Sequence, residues 1–384
     1  MTEAEAIISA YNECGRAGKA CVLATVVHVE GSAYRRAGAR MLIDEDGMMT
    51  GAISGGCLEG DALRKALHAL HRRENKLVTY DTTDEDDAVI GAQLGCNGII
   101  QVLFEVADRE EELNPVKLLE KAVSTGRPAA LVVIFDLERR SGSPGTTLVY
   151  TEAEGLSCHE KTNGFKENIE AECLDVIRKQ HSYAAEVHTK EGLRNIFIQY
   201  IQPPIHLVIV GAGNDARPLA DMGGTMGWKV TVTDGRPSHA TSQRFDSSCT
   251  VVVTRPEDTL QNIRIDARTA FVLLSHNYQY DLAVLGLLLD EAELPYIGIL
   301  GPKKKYNMML DDLKAEGIEL TQDQSDRVYA PVGLHFRAET PAEIALAIIS
   351  EIQTVIAGGK QHHLRDKKGP IHHTAPLTFN GFHG

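Results

Sequence analysis

An apolar run, Ile205 to Val210, leads straight into Gly211-Ala212-Gly213-Asn214-Asp215-Ala216, and helix-forming residues follow. A buried strand that breaks at a G-x-G-x-x-A turn and restarts as a helix fits few folds. Gly211 would allow the tight turn, Gly213 would let a pyrophosphate approach the backbone, and Ala216 would let the helix lie close on the sheet. The strand and helix pattern continues with a helix at 214–226 and strands at 229–234, 249–254 and 270–275. A helix at 281–292 and a strand at 296–300 come next. These strands are continuously apolar, as expected of a parallel sheet covered on both faces. Thr340, Pro341 and Glu343 form a helix start, and Ile344, Ala347, Ile348 and Ile352 share one face of a closing helix at 340–358. The segment 205–358 is therefore expected to be a Rossmann-like, doubly wound parallel sheet.

Within that segment Asp234 ends the second strand, where a carboxylate would accept ribose hydroxyls and repel a 2′-phosphate. The cradle could hold NAD or a pterin dinucleotide, or the fold could be empty. His276 and Asp281 follow the fourth strand at the carboxyl edge, with His276 either a structural hydrogen-bonding residue or a proton donor. Lys303-Lys304-Lys305 could meet phosphate or simply be solvated.

The first 200 residues have a different texture. Ala4, Ile7, Ile8, Tyr11 and Cys14 predict an amphipathic helix over 3–15. Strands are expected at 21–29, 39–43, 48–53, 76–80, 98–106 and 129–137, and helices at 58–72, 84–93 and 115–124. Weaker strands and one helix near 165–180 fill 138–200, and no internal repeat is legible. The acidic run Asp84–Asp87 reads as a solvated helix start rather than a metal site. Mixed strands and helices of unequal length predict an α+β domain over 1–200. Gln202-Pro203-Pro204 forms a stiff connector. Residues 359–384, with His362, His363, His372, His373 and His383, read as a flexible tail.

A formal net charge of −14 argues against nonspecific binding to nucleic acid or to an anionic membrane surface. The 7 cysteines are dispersed and include no C-x-x-C pair, which suits reduced cytosolic thiols. The first residues are acidic where a signal peptide would be basic, and no run of apolar residues is long enough to span a bilayer. A soluble, cytoplasmic protein is expected.

Two glycine-rich segments, 31–60 and 91–98, each carry one cysteine, Cys57 and Cys96. Glycines leave amides pointing at a ligand, and Arg35, Arg36 and Arg40 lie nearby. Cys57 also precedes a helix start, a setting that favours a thiolate. The alternative is that both cysteines are small buried hydrophobes in ordinary turns.

These segments resemble the XdhC/CoxI family of accessory proteins for xanthine dehydrogenase and carbon monoxide dehydrogenase. Gly31, Ser32, Arg35, Gly38, Ala39 and Met41 match its first motif, Ser54, Gly55, Gly56, Cys57 and Glu59 its second, and Gly95, Cys96 and Gly98 its third. Tyr34 replaces a proline, Arg40 a lysine and Asn97 a glycine. Residues 208–237 and 330–348 are similar to the family's Rossmann part, and Ser275-His276 with Asp281 resembles its T-H-x-x-x-x-D run.

The resemblance implies a chaperone that binds molybdopterin-type molybdenum cofactor as cargo, protects it during sulfuration and delivers it to an apo molybdenum hydroxylase. A cysteine desulfurase would supply sulfur, and the chain would form a homo-oligomer. Cys57 and Cys96 would handle cofactor or sulfur, either being the contact to molybdenum because protein ligands alone build no metal site. Arg35 and Arg40 would pair with phosphate, Gly55 and Gly56 would offer amides, and Glu59 would orient groups or move a proton. The rival reading is an NAD-dependent oxidoreductase with His276 as acid/base. The chain is not expected to be a xanthine dehydrogenase itself, since it has no C-x4-C-x2-C run to hold iron–sulfur clusters.

Overall fold

A computed structural model describes residues 1–31, 33–81, 98–136, 145–158, 166–189, 192–360 and 362–368. It separates into two compact units, Glu3–Pro203 and Pro204–Asp366, the latter with Met1 and Thr2. The expected helix at 84–93, the acidic run Asp84–Asp87, and His372, His373 and His383 lie outside the described residues.

The first unit runs α1 (Glu3–Arg16), β1 (Cys21–Gly31), β2 (Arg40–Asp44), β3 (Met49–Gly51), α2 (Glu59–Arg72), β4 (Lys76–Asp81) and β5 (Gly98–Val106). It continues with α3 (Pro115–Ser124), β6 (Ala129–Phe135), β7 (Gly145–Thr151), β8 (Gly155–Cys158), α4 (Lys166–Lys179), β9 (Tyr183–Thr189) and β10 (Gly192–Ile201). The strands form two antiparallel sheets, ordered β3-β2-β1-β5-β4 and β8-β7-β6-β10-β9. The second order is the first shifted by five. The unit is thus an α-β-β-β-α-β-β motif used twice, which overturns the expectation of no internal repeat.

Alternation along the strands explains the packing. Leu23 and Leu42 face Leu131 and Val149, while Val27 and Leu103 meet Val133 and Phe197. On the other faces Val22, Ala24 and Val26 pack against Ala62, Ala66 and Ala69 of α2, and Ala130, Val132 and Ile134 against Ile169, Cys173 and Val176 of α4. Both faces of each central strand are buried, so β1 and β6 read as continuous apolar runs although the sheets are antiparallel. The helix starts follow from local chemistry. Asn114 accepts from the Val116 and Lys117 amides ahead of Pro115 in α3.

The second unit contains β11 (His206–Val210), α5 (Ala216–Thr225), β12 (Lys229–Asp234), β13 (Thr250–Val253), β14 (Thr269–Leu273) and α6 (Tyr278–Leu289). After these come β15 (Tyr296–Ile299), α7 (Lys303–Ala315), α8 (Gln322–Asp326), β16 (Val328–Tyr329) and α9 (Pro341–Ile356). Its six-stranded sheet has the order β13-β12-β11-β14-β15-β16 with parallel pairings, the doubly wound architecture expected. Helices α5 and α9 cover one face and α6 and α7 the other. The order reverses between β11 and β14, opening a crevice at their carboxyl ends where such folds bind ligands.

Helix α6 starts three residues earlier than expected because the Asn277 side chain accepts from the Tyr280 amide at 3.2 Å. Helix α7 has no counterpart in the sequence reading. Its lysine opening hides Tyr306, Met309 and Leu313, which are buried at helical spacing. Helix α9 has the anticipated capping box between Thr340 and Glu343.

Candidate functional site

The turn joining β3 to α2 is held together by one carboxylate and one hydroxyl. Glu59, in the first turn of α2, accepts from the Ser54 amide at 3.0 Å, from Ser54 Oγ at 2.5 Å and from the Leu58 amide at 3.1 Å. Ser54 Oγ in turn accepts from the amides of Gly56 at 3.2 Å and Leu58 at 3.1 Å. Ser54 and Leu58 are buried, whereas Gly55, Gly56 and Cys57 are exposed at the crest. Gly56 has φ +108°, a conformation that favours glycine. Among the described residues nothing accepts from the amides of Gly55 or Cys57.

Cys57 is therefore a presented thiol, not the buried hydrophobe of the alternative reading. Cys96 lies outside the described residues. Glu59 is engaged with its own turn.

Tyr34 was not among the expected site residues. It is 69% exposed, yet its ring lies over Gly55, where an added Cβ would come within 3.3 Å of Tyr34 Cγ. The loop after β1 thus reaches the Gly55 turn within the same segment, and the usable signal was an aromatic residue at the family's proline position.

The two arginines lie in different settings. Arg35 grips Glu3 of α1 through Nη2, at 2.5 and 2.7 Å from its two carboxylate oxygens. Arg40, expected to face phosphate, is only 4% exposed and points between the two sheets. Its Nη1 donates to the Gly38 carbonyl at 3.0 Å and to Gln199 Oε1 of β10 at 2.6 Å. Burial pulls its pKa down to about 10 despite the attraction of Glu105 and Glu3. Because both faces of β2 are covered, an inward side chain there cannot reach the loop surface. Glu105 shares this interior, accepting from the amide and hydroxyl of Thr146 at 2.5 and 2.9 Å. Burial pushes its pKa up to about 7, against the lowering effect of those bonds and of Arg40.

In the second unit the glycine turn has the expected geometry. Gly211 has φ +122°, and a Cβ there would stand 2.5 Å from the Leu274 carbonyl oxygen. Ala216 is fully buried against the sheet. His276, with φ +57°, lies over the turn: its Nε2 is 3.2 Å from Asp215 Oδ2, and its ring is 3.4 Å from where a Gly213 Cβ would sit. Asp281 is completely buried and accepts from Ser275 Oγ at 2.6 Å and Lys305 Nζ at 2.7 Å, so Lys305 is not a solvated member of a lysine run.

Asp234, expected to meet a ribose, has partners within its own unit. Its Oδ2 accepts from the Ala212 amide at 2.7 Å and Arg236 Nη2 at 2.7 Å. Its Oδ1 accepts from the Arg236 amide at 2.8 Å and Arg236 Nε at 2.9 Å. Burial alone would raise its pKa, but these bonds outweigh burial and hold the carboxylate below its ordinary value. Among the described residues no group of three His, Cys, Asp or Glu side chains is arranged to hold a metal.

Residues 14–81 match the model of the XdhC and CoxI family, and residues 207–352 that of the XdhC Rossmann domain. A Bacillus subtilis protein named as a probable xanthine dehydrogenase subunit is 33% identical over 331 residues, spanning 86% of this chain and 92% of its own. The chain belongs to the XdhC and CoxI family. It is also 25% identical, over 88% of its length and 84% of the relative's, to the Escherichia coli protein named molybdenum cofactor insertion chaperone PaoD. A crystal structure from Bacillus halodurans, described as a xanthine dehydrogenase, superposes with a TM-score of 0.72 at 29% identity, covering 93% of this chain and 97% of that one. The family member therefore carries the glycine–cysteine turn and the Rossmann cradle in separate units.

Proposed function

We propose that this protein is a maturation chaperone that holds molybdenum cofactor as cargo during its sulfuration and passes it to an apo molybdenum hydroxylase. The observation that carries this reading is the exposed Cys57 on a turn braced by Ser54 and Glu59 and flanked by the Tyr34 ring. The names of the relatives from E. coli and B. subtilis support it. On this reading the Cys57 thiolate is a soft donor toward molybdenum or sulfur, and the Gly55 and Cys57 amides meet anionic oxygens of the cargo. Tyr34 offers an aromatic face to the flat pterin. Cys96 would be the second thiol, a cysteine desulfurase the sulfur source, and a cytoplasmic homo-oligomer the working form. Among the described residues no helix is long and apolar enough to cross a membrane.

The decisive experiment replaces Cys57 with serine and measures fluorescent oxidised pterin released by acid from protein purified from a cofactor-competent host. Because Cys57 is exposed, the variant should keep its melting temperature and lose most retained pterin and client activation. Pterin no higher than in an unrelated control protein, for the parent, would refute the cargo role. Full retention by Cys57→Ser would remove the thiol from it.

A further inference from the structure

The crevice at the carboxyl ends of β11, β12 and β13 has charges that a plain ribose does not require. A strand-end carboxylate that selects an unphosphorylated ribose must accept hydrogen bonds from its vicinal hydroxyls. Asp234 has four bonds on its two oxygens, which fills the acceptor sites of a carboxylate.

Arg236 presents the opposite chemistry. Asp234 holds its Nε and Nη2 edge, and Nη2 also lies 3.4 Å from the Ser275 carbonyl oxygen. Among the described residues Nη1 has no partner, and 45% of the side chain is exposed. A guanidinium pinned along one edge and open along the other is oriented for a phosphate in advance. Next to it lies a polar crevice of about 370 Å³ lined in part by Gly235, Thr254, Arg255 and Asn262. Asp258, also in its lining, is occupied by Arg255 and Gln261. On the other side Arg244 Nη2 reaches Asn214 Oδ1 of the glycine turn at 3.2 Å, leaving its Nε buried without a partner among the described residues.

We propose that this crevice takes a dinucleotide whose ribose beside Asp234 carries a phosphate monoester, in preference to the same dinucleotide with a free 2′-hydroxyl. Arg236 is the specificity-determining residue, Asp234 positions it, and the glycine turn receives the pyrophosphate. This assignment rests on the turn being a nucleotide cradle and is separate from the cargo role of the Cys57 turn.

Calorimetric titration of the full chain with NADP⁺ and NAD⁺ tests it, with 2′,5′-ADP and 5′-AMP as a second pair that needs no variant. The phosphorylated member of each pair should bind at least about tenfold more tightly, and Arg236→Ala should bring the two dinucleotides together. Arg236→Lys should keep part of the preference, because a point charge replaces the fork. Equal or tighter binding of NAD⁺, or no binding of either dinucleotide, would overturn the proposal. Pterin retention measured on the same preparations reports on the cargo role independently.

Discussion

Glu59→Ala should open the Cys57 turn without unfolding the unit. The carboxylate loses bonds from the Ser54 amide, Ser54 Oγ and the Leu58 amide. Bonds to a charged acceptor contribute about 1.5–3 kcal/mol each, but Glu59 is partly exposed and the three bonds share one geometry, so about 2–3 kcal/mol in total is expected. Ser54→Ala removes the same Ser54 Oγ bond together with the hydroxyl's contacts to Gly56 and Leu58. The double variant should then fall short of the sum of the singles by about 1–2 kcal/mol, the signature of residues in one network. The lone Trp228 belongs to the other unit and would not report this opening. Amide hydrogen exchange of peptides covering 52–66, read by mass spectrometry, measures it directly. Pterin retention should drop with the lost protection. Unchanged exchange in Glu59→Ala, or strictly additive single and double variants, would refute the view that Glu59 and Ser54 jointly hold the turn.

Glu105 should make the first unit less stable as pH rises. With a folded pKa near 7 against an ordinary 4.5, it keeps its proton in the native state where the unfolded chain has lost it. That contribution is complete below pH ~4.5 and fades as pH passes through ~7, amounting to about 3 kcal/mol at ~1.4 kcal/mol per unit. Glu105→Gln should show the shallower decline in melting temperature between pH ~4.5 and ~8, and parallel curves for the two proteins would count against it. Gly211→Ala should destabilise the second unit by about 2–4 kcal/mol, since φ +122° and a carbonyl oxygen 2.5 Å from the new Cβ both oppose it. Trp228 fluorescence during urea unfolding reads this, and a shift under about 0.5 kcal/mol would be incompatible with the geometry.

The Rossmann half was largely legible because its signals are local. An apolar run ending in Gly211, and Thr340 three residues before Glu343, each announce their structure within a few residues. Helix α7 was missed because Lys303–Lys305 mask its buried face. The repeat in the first unit was invisible because antiparallel strands buried on both faces lose polar alternation, and because copies need share only which positions are apolar. At the site, the pattern around Cys57 was readable, but the partners of Arg35, Arg40 and Asp234 were not. Arg40 meets Gln199 across 159 positions of sequence, a contact that no spacing rule encodes. Arg236 lies only two residues beyond Asp234, yet one carboxylate looks the same on paper whether its oxygens are free or taken.

The doubled motif of the first unit gives it the anatomy of a dimer written as one chain. Each copy's inner apolar face is covered by the other's, as at an isologous interface, and Arg40–Gln199, Glu105–Thr146 and Asn114–Tyr11 are among the cross-copy polar contacts. A chain of half the length would close the same sandwich by pairing with a second copy of itself, presenting two equivalent turns. Among the described residues the exposed glycine–cysteine turn, Gly55-Gly56-Cys57, belongs to the first copy, ahead of α2. Cutting the chain in the short connection between β5 and α3 should therefore yield two pieces that are soluble only together, and a glycine–cysteine turn moved into another fold would need Ser54 and Glu59 to go with it.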